Sequence, residues 1–93
     1  RNSRIENFIS EMNLQGIKPH VYDPFLNKRP DFQGQFNFLK KWPSKKYDGV
    51  LLAVPHQSII SKKLADFLDL LNQNGILLDF KSVLPKHQKI LRW

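Results

Sequence analysis

The chain has 93 residues, a net charge of +7 and no cysteine. That length sets one domain with a modest core, burying about two thirds of its unfolded surface, and the absent cysteines exclude a disulfide framework, a thiolate metal site and a thiol nucleophile within it. An apolar fraction of 41% with seven phenylalanines argues against disorder, and no apolar run approaches the roughly 20 residues that span a bilayer, so no membrane partner is expected.

The first expected element is a helix. Ser3-Arg4-Ile5-Glu6 reads as a capping box, in which hydroxyl and carboxylate satisfy backbone N–H groups at the helix start. Ile5, Phe8, Ile9 and Met12 follow at helical spacing as one apolar stripe. Gly16 is placed as a left-handed terminator, and a strand over Lys18–Tyr22 follows. Between Asp23 and Pro43 the turn formers Pro24, Asn27, Pro30 and Asp31 dominate. Phe32, Phe36 and Leu39 are spaced like a short helix, interrupted by Gly34, and these aromatics are expected to form a lid over the core. The lysines at 40, 41, 45 and 46 surround Trp42-Pro43-Ser44.

The apolar run from Tyr47 to His56, stopped by Pro55, reads as a strand buried on both faces of a parallel sheet. A helix is expected from about Ser58 to Asn72, burying Ile60, Leu64, Phe67, Leu68 and Leu71 and ended by Asn74-Gly75. Gly75–Phe80 forms the third strand. Leu84-Pro85 then leads into a basic tail ending Arg92-Trp93, with a short helix or turn. This order predicts an α/β fold: a three-layer, Rossmann-like partial parallel sheet with flanking helices, in a single domain over residues 1–93. The chain opens on a helix cap, so the strand that feeds that helix is expected to be missing. The sheet would then rearrange, borrow a strand or dimerise across its exposed edges.

Ligands of open α/β sheets bind outside the carboxyl ends of the strands. Tyr22-Asp23-Pro24, Pro55-His56-Gln57 and Asp79-Phe80-Lys81-Ser82 are therefore expected along one rim. Arg1 and Ser3 at a helix N-terminus suit an anion, although a capping serine beside a solvated arginine is the plainer reading. Asp23 occupies the place of a ribose-binding acid, but there is no G-x-G-x-x-G in the chain. His56 has no evident catalytic partner and reads as structural. Lys81 pairs with Asp79 or Asp48, or reaches an anionic ligand. His20 and His87 lack metal-ligand spacing.

Four segments together resemble a known family: Arg1-Asn2-Ser3-Arg4, Val21-Tyr22-Asp23-Pro24, the Tyr47–His56 stretch, and Leu78-Asp79-Phe80-Lys81-Ser82-Val83-Leu84. In order and distance they resemble the C-terminal, UDP-binding domain of the UDP-glucose/GDP-mannose dehydrogenases. The branch they match best oxidises N-acetylated UDP-hexosamines for bacterial capsule and O-antigen polysaccharides. The resemblance implies a cytoplasmic, homodimeric enzyme acting on a UDP-sugar, with NAD bound mainly by an N-terminal domain. Two hydride transfers would turn the C6 alcohol into a carboxylate through a thiohemiacetal on a cysteine outside this chain, so the 93 residues alone would be inactive. By the same resemblance, Arg1 reaches NAD, Ser3 and Lys81 contact the nucleotide sugar, and Tyr22, Asp23 and His56 are rim positions. The family often has glycine where this chain has Ser82.

Two other classes stand beside this one. The net charge favours polyanions, and lysines around a tryptophan suit single-stranded nucleic acid, although a solvated loop accounts for the same residues. A receiver- or flavodoxin-like interaction domain would need more acidic residues at the strand ends than Asp23 and Asp79.

Overall fold

A computed structural model describes residues 3–24, 35–54 and 56–92. The chain divides into two compact units, residues 1–43 and 44–93. The first contains helix α1 (Ser3–Leu14) and strands β1 (His20–Tyr22) and β2 (Asn37–Leu39); the second contains β3 (Tyr47–Leu52), α2 (Gln57–Ile60), α3 (Leu64–Leu68), β4 (Leu71–Asp79) and β5 (Ile90–Arg92).

In the first unit α1 ends where glycine permits it. Gly16 has φ +82. The Ile17 N–H donates to Met12 O at 2.8 Å and the Gly16 N–H to Asn13 O at 3.0 Å, the paired bonds of a Schellman terminus. Asn13 Nδ2 then ties the helix end to Ile17 O at 2.9 Å and to Gln35 O at 3.0 Å. β1 pairs in parallel with β2, with Val21 opposite Phe38. The expected short helix through Phe36 and Leu39 is thus corrected to a strand, because Asn37–Leu39 supplies the hydrogen-bonding edge that β1 needs. Phe32 and Gly34 lie outside the described residues. β1 and β3 belong to different sheets, so the strand ending at Tyr22 is not paired with the one before Val54.

The second unit is a three-stranded parallel sheet in the order β3-β4-β5, with α2 and α3 in the β3–β4 connection. This is a partial Rossmann-like α/β arrangement. Its buried apolar residues are Leu52, Ile59, Phe67, Leu70, Leu71, Leu77, Leu84 and Ile90. Each contributes on the order of 1.5–3 kcal/mol by leaving water. Register divides the sheet into unequal faces. Leu77 and Asp79 are completely buried and pair with Val50 and Leu52 of β3, whereas Ile76 and Leu91 remain 38% and 55% exposed. Burial of β3 on both faces is accordingly corrected: within the strand only Leu52 is buried, and Asp48 and Gly49 are exposed.

The single long helix expected over 58–72 is two short ones. α2 closes at Ser61, whose Oγ donates to Ser58 O at 3.2 Å. The Lys63 N–H then donates to the Asp66 carboxylate at 3.1 Å, which starts α3 afresh. The buried residue of α2 is Ile59, not Ile60. β4 begins at Leu71, within the residues expected to be helical, because Asn72, Asn74 and Gly75 are weak helix formers and Leu71 has a strand partner in Tyr47. The tail also forms a strand, β5, with Leu78 opposite Leu91.

β4 contains a pronounced bulge. Two steps along β3, Tyr47 to Gly49, face five along β4, Leu71 to Ile76. Asn72 Nδ2 donates to Asp48 Oδ1 at 2.8 Å and Lys89 Nζ to Gln73 O at 2.8 Å, fastening the hump. Lys46 Nζ donates to Asp69 O at 2.9 Å just before it. Where the strand returns, a Cβ on Gly75 would lie 2.7 Å from Tyr47 O and 3.1 Å from Asn72 N and O. All three are backbone atoms that cannot step aside. Gly75→Ala is therefore expected to destabilise the protein by about 1–3 kcal/mol, read by urea denaturation.

Burial raises the pKa of Tyr47 above 10.0 by desolvating its phenolate. The folded state thus holds the phenol proton more tightly than the unfolded state. The associated stability is complete below pH 10 and is lost as pH rises through the folded pKa. Tyr47→Phe should flatten the fall of unfolding free energy between about pH 9.5 and 11 relative to the wild type, as a difference between the two pH profiles.

Candidate functional site

The carboxyl ends of β3, β4 and β5 are Leu52, Asp79 and Arg92, and the chain leaves the first two through Ala53-Val54 and Phe80-Lys81-Ser82. The best-defined structure at this edge is the turn after β4. Asp79 is 0% exposed. Its Oδ1 accepts the Val83 N–H at 3.1 Å and its Oδ2 accepts the Leu84 N–H at 2.7 Å. The Ser82 N–H donates to Asp79 O at 3.2 Å, and the Phe80 N–H reaches across to Leu52 O at 3.1 Å. A buried carboxylate is tolerable only when its lone pairs are met, and these charge-assisted bonds meet them.

The turn forces Ser82 to φ 57, the left-handed region. A residue with a Cβ is disfavoured there by roughly 1–2 kcal/mol, and glycine is not. The backbone at Ser82 therefore has the conformation that glycine adopts most easily. Lys81, between the buried Asp79 and the left-handed Ser82, is exposed. Arg92 lies opposite Asp79 in the sheet register, and its Nη2 donates to Ser82 O at 3.1 Å.

The other sequence-derived candidates are placed as follows. His56 is half-buried and extended, and its carbonyl opens α2 by accepting the Ile59 and Ile60 N–H groups at 2.9 and 3.0 Å. Its neighbour Pro55 lies outside the described residues. Tyr22 and Asp23 are half-buried at the end of β1, in the other unit. Of the expected rim, the second unit thus brings together the segments after β3 and β4, and the end of β5, where no strand was expected, joins them. Ser3 has helical backbone at the start of α1, and Arg1 lies outside the described residues. The suggested pairing of Lys81 with Asp79 or Asp48 is corrected. Backbone amides occupy the Asp79 carboxylate, and Asp48 sits near the opposite end of the sheet with Oδ1 taken by Asn72. His87 Nδ1 accepts the Lys89 N–H at 3.0 Å, a local turn contact.

Sequence reasoning missed Arg92, read as part of a basic tail, and missed the inward role of Asp79. The legible signal for Asp79 was an acid closing an apolar strand ahead of Val83-Leu84, whose amides needed an acceptor. Trp42, considered as a stacking platform, packs edge-on against Tyr22 with ring centroids 5.6 Å apart and planes at 82°. No helix among the described residues is long and apolar enough to cross a membrane.

No protein-family model and no solved structure matches the chain. Among curated proteins it is 26% identical over 94 residues to the UDP-N-acetyl-D-glucosamine 6-dehydrogenase of Salmonella typhi, a match covering 99% of this chain and 22% of that enzyme. The chain therefore spans about a fifth of the length of the relative it matches. At this level it is related to part of a nucleotide-sugar dehydrogenase, in line with the coarse form of the resemblance read from the sequence.

The geometry ranks the turn residues. Asp79→Ala would orphan the amides of Val83 and Leu84 and is expected to cost about 2–5 kcal/mol of stability; Asp79→Asn, which keeps one acceptor, should cost less. Ser82→Gly should be neutral or stabilising by up to about 1 kcal/mol, and Ser82→Val destabilising. Thermal and urea unfolding of the four variants tests this order.

Proposed function

We propose that the chain is the UDP-binding domain of an NAD-dependent nucleotide-sugar 6-dehydrogenase of bacterial surface polysaccharide biosynthesis. The reading places the enzyme in the cytoplasm as a homodimer oxidising a UDP-sugar C6 alcohol to a carboxylate. The observation that carries it is the coincidence of two independent facts. The similarity to the Salmonella enzyme runs over 99% of the chain. The segment that the resemblance assigns to the nucleotide sugar also forms a braced turn at the carboxyl end of a parallel strand, with Lys81 exposed on it.

In this reading Lys81 offers an ammonium to the anionic part of the nucleotide sugar, and His56 follows the neighbouring strand of the same unit. Ser3, Tyr22 and Asp23, which the resemblance also assigns to the nucleotide sugar or the rim, belong to the first unit. When bound, NAD accepts the hydrides. This chain has no G-x-G-x-x-G, and the β3–α2 turn has no glycine to let a pyrophosphate approach the backbone. The described residues do not form a dinucleotide cradle, so NAD is assigned to the remainder of the enzyme, with Arg1, by the resemblance, as this chain's contact.

The nucleic-acid reading is weaker because Trp42 is engaged with Tyr22 and Lys46 with Asp69 O. A phosphoryl-accepting receiver is disfavoured because backbone amides seal the Asp79 carboxylate. Calorimetric titration of the intact protein with UDP, GDP and a short DNA single strand separates the classes. UDP should bind best, and Lys81→Met should weaken it about tenfold, the loss of one charge-assisted contact. A protein that binds the DNA strand and ignores UDP would sink the proposal.

A further inference from the structure

We propose that Arg92 is a positioning residue for the nucleotide site, acting on the ligand through Lys81; the inference rests on the nucleotide-binding reading of Lys81. The turn 80–82 is braced on its inner side by the Asp79 carboxylate and by Leu52 O. Ser82 still occupies a disfavoured backbone conformation, φ 57, next to Lys81. The bond that acts on Ser82 from outside is Arg92 Nη2 to Ser82 O, 3.1 Å. It grips the carbonyl of the strained residue itself, so it opposes the relaxation of Ser82 that would swing Lys81 away from the strand end.

Arg92 is well placed for this because it stands on a strand. Register sets it opposite Asp79, the residue from which the turn departs. The brace and the base of the turn are therefore neighbours in one hydrogen-bonded ladder, and the guanidinium is carried by a residue paired in that ladder. Its planar, permanently charged fork keeps the bond at any physiological pH. Lys81 is exposed and could sample many directions if its backbone were loose. Fixing that backbone lowers the ordering cost when an anion is gripped.

The test is a double-mutant cycle on the intact protein with UDP as probe, read by calorimetry and by amide hydrogen exchange over residues 80–84. Arg92→Gln should speed exchange in this segment and weaken UDP roughly three- to tenfold, and Arg92→Lys, which keeps a cationic donor, should restore most of both. In a Lys81→Met background, Arg92→Gln should cause no further loss of affinity, because the brace then holds nothing that touches the ligand. Additive losses would overturn the inference by showing that Arg92 meets the ligand itself. Unchanged exchange and affinity in Arg92→Gln alone would overturn it by showing the bond to be idle. If the wild type and Lys81→Met bind UDP equally or not at all, the nucleotide reading itself falls, a result distinguishable from failure at Arg92.

Discussion

Asp79 is the residue on which the second unit turns. A parallel neighbour for β4 must begin at the far end of the sheet, so the chain has to reverse after Asp79 and come back within residues 80–89. Parallel crossovers usually use a helix and a dozen or more residues for that journey. Here the reversal is made by a tight turn whose free amides would be stranded near the core, and the Asp79 carboxylate collects two of them. The same side chain lets Leu84 reach the core and aligns the return so that Ile90 pairs with Leu77. Without it, β5 would lose its register and Leu77, buried between the flanking strands, would lose one neighbour.

This arrangement separates two kinds of charge at the strand end. The negative group is turned inward and neutralised by peptide dipoles; the positive groups, Lys81 and Arg92, stay outside. The outer surface of the turn is therefore cationic although an acid stands at its base. That polarity suits an anionic ligand and explains why the sequence Asp-Phe-Lys does not behave as an internal ion pair.

Parts of the fold were legible in the sequence for identifiable reasons. The α1 terminus at Gly16 and the strands at 20–22, 47–52 and 76–79 follow from local signals that tertiary packing did not overrule. The misread segments are those in which pairing decided the outcome. Asn37–Leu39 and Ile90–Arg92 are three-residue strands with no periodicity of their own, formed because β1 and β4 present open edges. Leu71 continued a helical stripe on paper, yet its burial is satisfied by the sheet. At the candidate site Lys81 could be singled out from the sequence. The contact of Arg92 with Ser82 could not, since it depends on a register between two strands, one of which was not expected.

The β4 hump has a further consequence. Residues 72–74 are exposed and lie outside the regular ladder, between the Tyr47–Leu71 pair and the resumed pairing at Ile76. A regular strand transmits any one-residue insertion along its length as an exchange of its two faces. A strand interrupted here can absorb a gained or lost residue as a larger or smaller loop, leaving Ile76–Asp79 in phase with both neighbours. The hump thus acts as an expansion joint: length changes on the solvent side need not reach the end of the strand where Asp79 seals the turn.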